Sequence, residues 1–184
     1  PDNVCLSGYW QSEKYFKAIE SMIRDDFTII TSPDSRNTEM AAKIKGCNAI
    51  SLHIRRGDYV ANAATNAVHG TCSLDYYQAA VQDVASKVDN PVFFLFSDDM
   101  AWVKENLRVD APTVSVDING VDKNFEDLRL MSYCQHNIIA NSSFSWWGAW
   151  LNPNPEKLVY APKKWFAGLP HDTKDLIPQG WIRL

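Results

Sequence analysis

What is missing narrows the reading of this 184-residue chain before any motif is weighed. A basic excess is missing: 18 Lys and Arg against 22 Asp and Glu leave a net charge of −4. Nothing draws the whole molecule to nucleic acid, so an anionic ligand must be held by a local cluster. Cysteine is scarce, and Cys5, Cys47, Cys72 and Cys134 form no Cys-x-x-Cys pair for a metal or a redox couple. A domain of this size requires no disulfide, so free thiols in a reducing compartment are expected. The histidines give no zinc spacing. Gly-x-x-x-x-Gly-Lys-Ser/Thr and Gly-x-Gly-x-x-Gly are both absent, which removes the usual nucleotide loops. No two aspartates stand two apart, so there is no Asp-x-Asp to carry a divalent ion on a diphosphate. The apolar runs are too short to span a bilayer, and the start does not resemble a signal peptide. The chain opens on Pro1 rather than methionine and reads as a fragment of something longer.

What is present is enough to fold. A hydrophobic fraction of 46% with seven tryptophans supports one compact domain rather than disorder. Residues 12–25 are amphipathic, with Tyr15, Ile19, Met22 and Ile23 near helical spacing. Residues 48–55 read as a buried strand and 61–72 as a loop of small polar residues. Ser73 caps an expected helix through Val88. Pro91 restarts the chain into "VFFLFS", apolar on both faces as in a covered parallel strand. A short helix follows from Asp98, then a strand at 113–117 and a helix at 124–134 with Asn124 as its cap. A strand at 137–140, a helix at 142–152 and a strand at 157–162 complete the pattern. The alternation predicts an α/β fold: a Rossmann-like parallel sheet with helices on both faces.

In such sheets ligands bind beyond the carboxyl ends of the strands. Three polar clusters fall there. "HIRRGDYV" puts Arg55, Arg56 and Asp58 around Gly57, and His53 lies on the strand face of Arg55. A guanidinium fork suits phosphate oxygens, while the bland alternative is an ion pair with a neighbouring carboxylate. Asp98 and Asp99 close the second strand; one carboxylate there can accept from the paired N–H groups of guanine, and the other can cap the next helix. Asn141, Ser142 and Ser143 precede a helix and make an anion site, or serve capping alone. They also match a glycosylation sequon, poorly placed between a buried strand and an apolar helix. Trp146, Trp147 and Trp150 read as packing. Arg56-Gly57-Asp58 spells an adhesion tripeptide, but it follows a buried strand rather than a displayed loop.

Taken together, "HIRRGDYV", "SGYWQSEKYF", "FSDDMAWVKENL" and "ANSSFSWWGAWLN" resemble segments of glycosyltransferase family eleven, the α-1,2-fucosyltransferases, particularly bacterial ones. The similarity runs from about Gly8 to Trp165. The resemblance implies an inverting, metal-independent transferase of the two-domain GT-B type, with no cofactor. It would move L-fucose from the co-substrate GDP-fucose to the 2-hydroxyl of a galactose-terminated oligosaccharide. It implies Arg55 on the β-phosphate, His53 and Asp98 near guanine, and Ser142 and Ser143 near the diphosphate; the clusters add Arg56 and Asn141 as candidates for the same donor site. Asp58 is then the general base, or a group that orients an arginine while the base comes from a segment outside this chain. The family's glycine-rich Gly-Asn-Gln segment has no counterpart here. Residues 1–45 are therefore expected to be a helical remnant of, or linker from, an N-terminal domain, and 46–184 the GDP-fucose-binding domain. A GDP-sugar-binding module without catalysis, and a transferase for another GDP-sugar, remain the alternatives. The expected setting is cytoplasmic or peripheral to the inner membrane, or the Golgi lumen for a eukaryotic enzyme; no partner is a nucleic acid.

Overall fold

A computed structural model describes Cys5, Ser7 and residues 12–168 and 172–184; Gly8 to Gln11 of the compared segment lie outside these. Six strands form one sheet: β1 (Asn48–Ile54), β2 (Pro91–Ser97), β3 (Thr113–Val116), β4 (His136–Ile138), β5 (Val159–Ala161) and β6 (Ile182–Arg183). Their order is β3-β2-β1-β4-β5-β6 and every pairing is parallel. The fold is α/β and Rossmann-like. The strand order reverses between β1 and β4, which leaves a crevice at their carboxyl ends.

Alternation along the strands builds the two faces. Ile50, Leu52, Ile54, Phe93 and Leu95 meet α5 (Leu74–Ala85) and Val103 of α6 (Met100–Asn106). Ala49, Phe94, Phe96 and Val116 meet Met40 and Ile44 of α2 (Ser35–Lys45) and Leu130 and Met131 of α7 (Asn124–Tyr133). Burial of each such apolar side chain contributes about 1.5–3 kcal/mol, which explains why β2 is apolar on both faces; β1 is buried on both but carries Ser51 and His53 on one of them. A third cluster joins Trp146, Ala149 and Trp150 of α8 (Ser143–Leu151) to Val159 and Ala161 of β5 and to Leu176 and Ile177. Trp146 Nε1 donates to the Leu176 carbonyl at 2.9 Å, so these indoles are indeed packing. Phe16 packs on Trp146, Trp147 and Trp150, and the Arg24 guanidinium of α1 (Glu20–Asp26) lies 4.2 Å over the Trp150 ring.

Several elements differ from the sequence reading. Residues 61–72 are not all loop: α3 (Gly57–Ala61) and α4 (Ala63–His69) occupy the stretch. The Asn62 side-chain Oδ1 accepts from the N–H groups of Ala64 and Thr65 and starts α4, which has no fully buried residue and so no apolar periodicity to read. Asn124 is not a cap; a 3-10 turn at Val121–Lys123 leads into α7, and no side chain caps it. Helix α2 lies in the stretch expected to be helical but was not read as an element of its own, although Asp34 caps it and its Met40 and Ile44 belong to the core. Residues 12–26 begin as two 3-10 turns and become helical only at Glu20. Strand β6, at two residues, is too short for any pattern. All four cysteines are free. Among the described residues no helix is long and apolar enough to cross a membrane.

Candidate active site

A cavity of about 620 Å³ opens beyond the carboxyl ends of β1 to β4, at the place where the strand order reverses. Each wall is the segment that follows one strand. Arg55, Asp58 and Tyr59 follow β1; Ser97 and Asp98 end β2; Asn119 and Gly120 follow β3; Ser142, Ser143 and Phe144 open α8. Asp127 of α7 and His69 of α4 also face it. His53, buried on β1, lines it from beneath, with its ring centroid 5.8 Å from that of Phe144.

Arg55 is fixed by two carboxylates. Its Nη2 donates to Asp58 Oδ1 at 2.6 Å, and its Nη1 stands 3.0 Å from Asp98 Oδ2. Asp98 Oδ1 accepts the Arg56 backbone N–H at 2.9 Å, so both oxygens of Asp98 are engaged at the turn. Gly57 permits that approach: a Cβ there would sit 2.5 Å from Asp98 Oδ2. On the opposite wall, the N-cap residue Ser142 makes no side-chain cap bond. The first residues of α8 line the cavity, and their N–H groups lack an intrahelical acceptor, as at any helix start, where they suit an anion.

Two neighbours in sequence point elsewhere. The Arg56 guanidinium lies 3.6 Å over the Trp102 ring, and its Nε donates to Asp99 Oδ2 at 3.2 Å. Asp99 also caps α6 through the Trp102 N–H. This trio fastens the β1 turn to α6, outside the cavity lining. The Arg-Gly-Asp tripeptide is thus spread over a packed cation, a helix start and an ion pair, and is not a displayed loop. Asn141 is 2% exposed. Its Nδ2 donates to the carbonyls of His69, Gly70 and Trp165 at 2.9, 3.2 and 3.1 Å, which leaves no room for a glycan on the sequon. Of the expected site residues, the fold brings His53, Arg55, Asp58, Asp98, Ser142 and Ser143 to one cavity, and sets Arg56 and Asn141 behind it. Among the described residues no group of three or more His, Cys, Asp and Glu could hold a metal ion.

Residues 2–184 match the model of glycosyl transferase family 11. The chain belongs to that family. An alpha-1,2-colitosyltransferase of Escherichia coli is 38% identical over 99% of this chain and 63% of its own length. The Escherichia coli O-antigen biosynthesis glycosyltransferase WbnK is 36% identical over 100% of this chain and 61% of its own. The galactoside alpha-(1,2)-fucosyltransferase 2 of Rattus norvegicus is 27% identical over 80% of the chain and 44% of its own. The family 11 chain thus spans less than two thirds of these curated relatives.

Sequence reasoning passed over Asp127, the carboxylate with the most altered environment in this family 11 cavity. Burial lifts it to about 6 from an ordinary 3.8, against the lowering effect of the Asn119 amide, which donates to Oδ1 at 2.7 Å. Asn119 is itself held by a reciprocal amide pair with Asn37 of α2. Burial pulls His53 the other way, to about 4 from an ordinary 6.5, with Asp98 opposing and Arg55 assisting. The two groups act oppositely on stability. His53 is depressed when folded, so its contribution is full above about 6.5 and is lost as pH falls through about 4. Asp127 is raised when folded, so its contribution is full below about 3.8 and is lost as pH rises through about 6. Between these two groups the slopes largely cancel. Asp127→Asn is expected to unmask the His53 slope: unfolding free energy rises with pH between about 4 and 6.5, by up to about 1.4 kcal/mol per unit. Urea titrations across that range measure it, and a flat profile in the variant would contradict the assignment.

Proposed function

We propose that this chain carries the donor-binding part of an inverting α-1,2-glycosyltransferase. Its donor is a GDP-linked 6-deoxy-L-sugar, L-fucose foremost, and its acceptor the 2-hydroxyl of a terminal galactoside. The observation that carries the reading is the pairing, across one cavity at the strand reversal, of the Arg55 fork with the open N-terminus of α8. Both are anion-binding elements, and a diphosphate is the anion that reaches two walls at once. The relatives' names supply the sugar and the linkage. Two of them differ in donor, and colitose is L-fucose lacking its 3-hydroxyl, so a small change in the sugar end of the cavity separates the two activities.

In this reading the guanine lies on the β3–α7 side. Asp98 is occupied by Arg55 and the Arg56 N–H, whereas Asp127 shares only one oxygen with Asn119. Asp127 is therefore the better acceptor for the paired donors of guanine, and Asp98 the group that aims Arg55. The acceptor oxygen attacks the anomeric carbon opposite the diphosphate as the carbon–oxygen bond to the β-phosphate breaks. The leaving oxygen gains charge, and Arg55, already oriented by Asp58 and Asp98, receives it without reorganisation. The positive charge comes from protein groups, so the reading includes transfer in the presence of EDTA. Incubation with GDP-fucose or GDP-colitose and methyl β-galactoside, followed by linkage analysis, tests the proposal. A 2-linked α-L-glycoside from one donor at a rate at least tenfold above the other is expected, and a product from a UDP-sugar or at another hydroxyl would contradict it.

A further inference from the structure

Beside the donor cavity lies a second, smaller one of about 290 Å³. It opens at the same sheet edge, between the α4–α5 turn, Asn141 after β4, and Pro162 to Lys164 after β5. His69 lines both cavities and is the one residue they share among those described. Its ring stacks on Tyr59 with centroids 4.9 Å apart and planes 15° apart, and it meets Phe166 at 5.6 Å on the other flank. Tyr59 in turn lies 5.5 Å beneath the Arg55 guanidinium. The imidazole thus stands one aromatic ring away from the arginine assigned to the leaving group. Its position is held by the backbone: the His69 carbonyl accepts from Asn141, and Gly70 takes a φ of +61°, a region that favours glycine. Its Nδ1 is buried with no partner in the protein. A buried polar atom left unpaired is costly, and a ring kept so at the junction of two cavities points to use by a ligand.

We infer that the smaller cavity is the acceptor-sugar subsite and that His69 is the general base. The inference rests on the donor reading above. The cavity's size suits one sugar ring rather than a nucleotide. Its lining residues are of the kinds a galactoside needs: Thr71, Lys163 and Lys164 for the hydroxyls and Phe166 for the ring. In the transfer step the acceptor oxygen's electron pair forms the new bond to the anomeric carbon, and its proton passes to the imidazole of His69. The bond to the β-phosphate oxygen breaks, and its electron pair leaves with GDP. The titratable groups around His69 are Arg55 and Asp58 beyond Tyr59, Cys72 and Tyr76 within the smaller cavity, and Lys163 and Lys164 on its far rim.

The test uses the full chain with GDP and methyl β-galactoside as probes. Ring nitrogen resonances of His69 are expected to move when the galactoside is added to the GDP-loaded chain, and Thr71→Trp, which fills the smaller cavity, should abolish that shift and raise the galactoside KM at least tenfold. His69→Ala is expected to bind GDP within twofold of the native chain while transfer falls about a hundredfold, the usual scale for a lost base. Added imidazole should restore part of the rate, which a packing defect would not allow. Native transfer with undiminished turnover in His69→Ala, or galactoside shifts that survive Thr71→Trp, would overturn the inference and leave the donor reading standing. Failure of the native chain to bind GDP would overturn both.

Discussion

Replacement of Arg55 by Met is expected to lower transfer by about a thousandfold and GDP affinity by about a hundredfold. The side chain keeps its bulk against Tyr59 but loses the charge and the fork. A charge-assisted hydrogen bond is worth about 1.5–3 kcal/mol in binding, which accounts for the loss of GDP affinity. The larger loss in rate follows because charge on the leaving oxygen is greatest in the transition state, and a donor already in place there is typically worth 10²–10³ in turnover. Arg55→Lys should recover only part of both. A lysine supplies a point charge but cannot hold Asp58 and Asp98 on separate nitrogens as Nη2 and Nη1 do here. Calorimetry with GDP and a transfer assay read the two effects. Equal loss in Lys and Met variants would mean that geometry decides everything, and no loss in either would remove Arg55 from the mechanism.

The second large effect is on folding. Asn141→Ala is expected to cost about 3 kcal/mol, because three backbone carbonyls at a largely buried side chain lose their donor. Asn141→Asp should be at least as severe, since it turns an acceptor oxygen toward the oxygens of His69, Gly70 and Trp165. Those three carbonyls lie at the end of α4 and on the chain after β5, so one amide ties the rim of the sheet together. Urea unfolding with an unchanged slope and a lower midpoint measures the cost. A change below about 1 kcal/mol would show that the rim does not depend on this hub.

These two residues also show what the sequence could tell. Strand β2 was legible because burial on both faces demands an unbroken apolar run, β1 because Ile50, Leu52 and Ile54 recur at every second residue, and the helix from Ser73 because its cap and its period agree. Helix α4 and strand β6 were not, the first having no fully buried residue and the second no length. The family segments placed the site, but not the duties within it. Arg55 and Arg56 are indistinguishable as letters. The backbone at Arg56, with φ −137° and ψ −56°, turns one guanidinium into the cavity and the other onto Trp102. Asn141 looked like a ligand group because it stands beside Ser142, yet its side chain points back into three carbonyls. Asp127 and His69 were passed over because each reaches the site from a different element, brought there by the sheet order and not by nearness in sequence.

The central claim is that the cavity at the strand reversal holds the diphosphate and guanine of a GDP-sugar on protein groups. Calorimetric titration of the chain with GDP, in EDTA, beside parallel titrations with UDP and ADP, tests it most directly. The account predicts one site per chain, with GDP bound at least tenfold tighter than either competitor, and with that preference reduced in Asp127→Asn. Equal affinity for the three nucleotides, or no binding of GDP, would contradict it.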